Sequence, residues 1–275
     1  MGESPGTSIV RQAVKHGHLH ILQYLGIEDS EMFQIAARHG RSNIMNYLYS
    51  KRVSIRANRN SALMQAANRG ELQAVRWLWQ HKVDITVKNH AAIRLAAYSG
   101  HHSVVQFLHQ HGCDVNKIDS VIVATNGHVR VLKYLHQHGV VMTELHLQRA
   151  VAGGSVATVK WLWSQNLRYD GMRTTIARGH IALVEWFYGL GFDIHDKVAV
   201  ETAATFGNIN ILRYLMQRGV NVIRNKVLRA AVSSWRYETV KWLVEQGVYV
   251  GHNIDYLLRI SDDPQIIQYL IENFS

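Results

Sequence analysis

The chain of 275 residues has a single cysteine, Cys113, and that scarcity excludes an internal disulfide and any multi-cysteine metal site. Proline is nearly absent. Only Pro5 and Pro264 occur, near the two ends, so the long middle has no proline punctuation. That suits a chain of helices. No run of about 20 apolar residues exists, which leaves no candidate transmembrane helix. The opening Met1–Gly6 has no basic-then-apolar run, and Gly6 stands where a myristoylation pattern wants Ser or Thr. We therefore expect an intracellular, cytoplasmic protein in a reducing compartment.

Aromatics are not scarce. With 7 Trp, 12 Tyr and 6 Phe, and 47% hydrophobic residues, whole-chain disorder is excluded. Acidic residues are few: 20 Asp and Glu face 30 Lys and Arg, a formal net charge of +10, with 17 His in reserve. Such a balance speaks to partners and solubility, not to fold.

Repetition organises the chain. Small-residue pairs followed by glycine return at Gly17, Gly40, Gly70, Gly100, Gly127, Gly154, Gly179 and Gly207. Two degenerate copies follow, with Ser234 and Asp262 assigned to the glycine slot. In the unit around Gly100, Ile93, Ala96 and Ala97 form one apolar stripe, and Val104, Val105 and Leu108 form another. Gly100 and Gly112 end the two helices, because glycine reaches positive φ without a Cβ penalty. Each unit reads as two short helices that cannot bury their faces alone, so neighbours stack. The expected fold is an all-α solenoid of about ten helix–turn–helix units over residues 9–275, one domain, with a flexible tail at 1–8. Residues 140–150 look irregular, and the array is expected to bend at Gly153–Gly154.

The pattern Ala-Ala-x-x-Gly-His-x-x-x-Val-x-x-Leu, closing on Gly-x-Asp-Val or Gly-x-Asp-Ile, resembles the ankyrin repeat. It stands clearly at Gly179–Phe187 and Gly191–Ile194. The Thr-Pro-Leu-His opening is missing; Ala91-Ala92-Ile93-Arg94 stands in its place. Units are shorter than the usual length of about 33 residues. Several β-turn fingers are therefore expected to be short or clipped, as between Val115 and Val121. The compact unit, with Asn58 and Asn89, also resembles arrays carried by large DNA viruses of protists. The resemblance implies a non-catalytic scaffold that binds proteins.

His18, His101, His128 and His180 follow the unit glycine. The resemblance makes this a slot whose side chain ties one turn to its neighbour. His109, His111, His136 and His138 fall in matching places of adjacent units, yet without carboxylate or thiolate company, so no metal site and no cofactor are expected. Trp77, Phe107, Tyr134, Trp161 and Trp186 share a packing slot in the second helix. Trp79 and Trp163 are read as pointing away from it, onto the convex back. No phosphate loop, nucleophile elbow or zinc-protease motif occurs.

Function is read from the basic surface. In the ankyrin arrangement the residues just before the unit glycine line the concave face. Partner-binding candidates there are Lys15, Arg38, His39, Arg69, Tyr98 and Arg178, joined at finger positions by Arg56, Arg59 and Lys88. The expected partner is a protein with an acidic surface. The alternatives are polyanion or nucleic-acid binding, and an adaptor recruiting substrates for a host pathway such as ubiquitination. Neither a membrane nor a small-molecule substrate is expected.

Overall fold

A computed structural model describes residues 5–248, 250 and 254–274; the side chains of residues 5–7, 59 and 197 fall outside the description. Among the described residues there are twenty α-helices and no strand. They form ten pairs in two compact units, residues 1–146 and 147–275. Among the described residues, no helix is long and apolar enough to cross a membrane.

In residues 1–146 the pairs are α1 (Pro5–His16) with α2 (Leu19–Leu25), α3 (Ser30–Arg38) with α4 (Ser42–Ser50), and α5 (Ala57–Arg69) with α6 (Leu72–Gln80). Then come α7 (Val87–Tyr98) with α8 (His102–Gln110), and α9 (Ser120–Thr125) with α10 (Val129–Gln137). The first helix begins at Pro5, inside the stretch expected as a tail. First helices pack on first helices along the row, and second helices on second. The alanine pairs explain the close approach: Ala36, Ala37, Ala66, Ala67, Ala96 and Ala97 have no exposed surface. Leu48, Leu78 and Leu108 fill the matching place in the second helices, also fully buried.

The division at residue 146 falls inside the segment 140–150. The second set is α11 (Glu144–Gly153) with α12 (Val156–Ser164), α13 (Met172–Arg178) with α14 (Ile181–Gly189), and α15 (Lys197–Thr205) with α16 (Ile209–Gln217). It ends with α17 (Asn225–Ser233) beside α18 (Tyr237–Glu245), and α19 (Ile254–Ile260) beside α20 (Pro264–Phe274). Here too α13, α15 and α17 stack in order.

The clipped fingers have a simple chemistry. Where the motif's aspartate closes a unit, its carboxylate accepts the backbone N–H two residues on: Thr86 to Asp84 at 2.8 Å, Asn116 to Asp114 at 2.9 Å, His195 to Asp193 at 2.7 Å. These Asx turns redirect the chain within a few residues. Between Val115 and Lys117 the finger is one 3-10 turn.

The unit glycines take left-handed φ, for example +79° at Gly100. The last two assignments of that slot need correction. Trp235, not Ser234, has the positive φ, +56°, and repeats the turn's hydrogen bonding. Asp262 is not among the residues of positive φ. A bulky residue in a left-handed turn leaves no glycine to align on, which is why a neighbouring small residue attracted the assignment.

Candidate functional site

The expected histidine slot is realised at His101, His128 and His180, whereas His18, in the first pair, lies against the rings of His16 and His20. Nε2 of His101 meets the Asn68 carbonyl oxygen, that of His128 the Tyr98 carbonyl, and that of His180 the Ala152 carbonyl, each at 3.0 Å. Each ring also lies over the glycine of the unit before it, Gly70, Gly100 and Gly154. Other residues do the same work, which the sequence reading missed. Arg41 Nε donates to the Lys15 carbonyl at 2.9 Å, Asn208 Nδ2 to Ile176 at 2.7 Å, and Arg236 Nε to Thr205 at 2.9 Å. Arg41 and Asn208 follow a unit glycine, as the slot histidines do, so their positions could have been found; Arg236 follows Trp235, which carries no such mark.

The His-Gln-His pairs are also structural. His111 Nδ1 bonds the Phe107 carbonyl and His138 Nδ1 the Tyr134 carbonyl, both at 2.7 Å, and each ring lies against that aromatic side chain. His81 repeats this on Trp77, stacked at 3.6 Å between centroids. His109 bonds the Tyr134 hydroxyl at 2.8 Å. Among the described residues, no three His, Cys, Asp or Glu side chains are grouped to hold a metal. The two outer tryptophans do not point away from packing. Trp79 is 38% exposed but sits edge-on to Phe107 and His111 of the next pair, and Trp163 packs on Trp186, Phe187 and Phe192. Cys113 is buried, its thiol directed at the Ile85 carbonyl. Burial, then the Asp84 charge, pushes its pKa up to about 12, so it stays a thiol at neutral pH.

The basic candidates separate into groups. Lys15, Arg38, His39 and Arg69 come together at the C-terminal ends of α1, α3 and α5. The pKa of His39 is held below its ordinary value first by burial, then by Arg69, Arg38, Lys15 and Arg41. Lys15, Arg38 and Arg69 are exposed. Arg41 is half-buried, and its Nε is spent on the Lys15 carbonyl. Arg11 pairs with Glu31, in the first turn of α3, at 2.7 Å.

The remaining candidates do not join the cluster. Arg56 caps α5, and its Nη2 donates to the Lys82 carbonyl at 2.9 Å, a tie between adjacent pairs. The Arg59 side chain lies outside the described residues. Lys88 is exposed and opens a left-handed run with Asn89 and His90. The Tyr98 hydroxyl accepts the Asp119 N–H at 3.3 Å, and its carbonyl accepts from Asn126 and His128. Arg178 belongs to residues 147–275, where it lines a cleft of about 760 Å³ together with Arg173, Glu201 and Phe206.

Residues 33–119 match the family model of ankyrin repeats (3 copies). Among solved structures, the ankyrin repeat domain of human ASB11 is similar at a TM-score of 0.40 and 19% identity, over 78% of this chain and 97% of that one. No curated protein matches the chain. The family match is confined to residues 33–119, and on either side of it the described helices pair on the same plan, so the chain carries ankyrin repeats at 33–119 and resembles them elsewhere.

Proposed function

We propose that this chain is a non-catalytic scaffold, and that the basic cluster of residues 1–146 receives an acidic surface of a protein partner. Ankyrin repeats are in general protein–protein interaction modules, which sets the class. The observation that carries the finer reading is the gathering of Lys15, Arg38, Arg41 and Arg69 around His39. The charges that hold down the pKa of that ring are all cationic, and the one carboxylate seen beside it, that of Glu71, lies over Gly40 and offsets only part of the positive charge. Like charges repel, so gathering them costs stability, and an anionic partner relieves that cost. Arginine also supplies planar, bidentate contacts to carboxylates. In this reading Lys15, Arg38, His39 and Arg69 form the contact surface, with Lys88 and Tyr98 farther along the same row. Arg56 acts mainly as a tie between pairs.

The test is a pull-down from cell lysate with wild type and an Arg38→Glu/Arg69→Glu variant, at low and near-physiological salt. One or a few proteins retained at both salts by wild type, and lost by the variant, support the reading. Retention of the same proteins by the variant overturns it. Recovery of nucleic acid alone, lost steeply as salt rises, makes the cluster a general polyanion site instead.

A further inference from the structure

Trp235 stands where its sister units have glycine. Its N–H donates to the Val232 carbonyl at 3.1 Å, and the Arg236 N–H to Ala231 at 3.0 Å. Gly207 and Asn208 make the same two bonds to Ala204 and Ala203, at 3.1 and 2.9 Å. The turn is the same; only the side chain differs. An L-residue in this left-handed conformation is strained, and a bulky one is a genuine outlier. Burial does not repay the strain, because Trp235 is 59% exposed. The part of the indole that is covered offsets little of that strain, and strain of that kind concentrates at functional sites.

Its surroundings resemble an interface. Phe206, just before the glycine of the preceding pair, is 51% exposed. Arg236 connects the two aromatics: its Nε bonds the Thr205 carbonyl, and its stem lies over Gly207, so it touches both neighbours of Phe206. Phe206 is also one wall of the cleft holding Arg173 and Arg178. Neither guanidinium is in an ion pair among the described residues. Tryptophan and arginine are the side chains that dominate interface energetics. Two carboxylates share the cleft. That of Asp170 already accepts the Met172 N–H at 3.2 Å, while Glu201 faces the cavity and repels a run of acids.

The geometry points to a second docking surface, in residues 147–275, for a protein segment that presents a bulky apolar side chain beside a single carboxylate. The apolar side chain packs on Phe206 and Trp235, and the carboxylate pairs with Arg178 or Arg173. This surface is independent of the basic cluster around His39, and its occupant differs in kind.

The experiment is selection of short random peptides, displayed on phage, against the full chain. Recovered peptides are then titrated against wild type, Trp235→Gly, Arg178→Glu and the Arg38→Glu/Arg69→Glu variant. Selected peptides are expected to carry Leu, Ile or Phe next to Asp or Glu. Trp235→Gly and Arg178→Glu each weaken them by about tenfold or more, and the double variant leaves them unchanged. The melting temperature of Trp235→Gly stays equal or rises. Recovery of no peptide, equal binding by Trp235→Gly, or a fall in its melting temperature overturns the proposal. Polyacidic peptides lost with the double variant would likewise overturn it, and would leave the cluster around His39 standing.

Discussion

A unit glycine does two things at once, and both forbid a side chain. Gly100 has φ of +79°, and a Cβ there would lie against the His128 ring. Gly100→Ala therefore strains the backbone and expels the imidazole from its bond to the Tyr98 carbonyl. The expected cost is about 2 kcal/mol, read as a lower denaturation midpoint at unchanged slope. The reverse change has the opposite sign elsewhere. Lys82 takes φ of +57° at the end of a second helix, where later pairs use Gly112 and Gly139. Lys82→Gly is expected to stabilise by about 1 kcal/mol, although its carbonyl must keep accepting from Arg56. A loss of stability in that variant would show that the left-handed lysine is not strained. At this scale the sequence was legible wherever glycine marked the turn. Trp235 was invisible, because a bulky residue advertises packing, not a turn. The basic candidates were legible as charges, but nothing in the sequence says that the Arg56 guanidinium is spent on a carbonyl.

Short helices cannot stand alone, and most here are nine residues or fewer. Their stability comes from the face each one buries. Leu108 of α8 is fully buried between α7 and its neighbours in the second row, so Leu108→Ala is expected to cost about 2–5 kcal/mol. The couple of an aromatic residue with the histidine four places on is a smaller device at the helix end. His111 meets the carbonyl of Phe107 and its ring at once, so His111→Ala is expected to cost about 1 kcal/mol. A histidine variant as costly as the leucine one would mean the couple is part of the core. The helix pairs were legible because the apolar stripes keep a helical period and the glycines separate them. The couples were not: histidine near a helix end satisfies a dipole argument, a metal argument and a stacking argument equally well. Only the ring positions choose among the three. The same ambiguity placed Trp79 and Trp163 on an outer face, when each spans to the next pair.

Across the whole molecule, histidine is abundant and acid is scarce, and this gives stability a direction in pH. His39, His102, His109 and His146 all have pKa values held below the ordinary one, and burial is the first cause of each. Positive neighbours add to it for His39, Arg130 for His102, and His138 for His109. A histidine whose folded pKa lies below its unfolded value near 6.5 binds fewer protons folded than unfolded in between. Its contribution is complete above pH 6.5 and is lost as pH falls through the lowered folded value. Rising net positive charge acts in the same direction. Melting temperature is therefore expected to hold steady above pH 6.5 and to fall progressively toward pH 5, in a series at fixed ionic strength. His146 gives the sharpest check. It is buried, with one nitrogen on the Ser120 hydroxyl and the other on the Thr143 N–H and hydroxyl. Those partners hold a neutral ring, since the Thr143 N–H needs an unprotonated Nδ1 as acceptor. Asp119 pulls the other way, favouring the charged form. His146→Gln keeps a hydrogen-bonding side chain but removes the proton-binding group. It should lose some stability at pH 7.5 and show a shallower decline on acidification; a decline as steep as wild type would place the acid sensitivity in other groups.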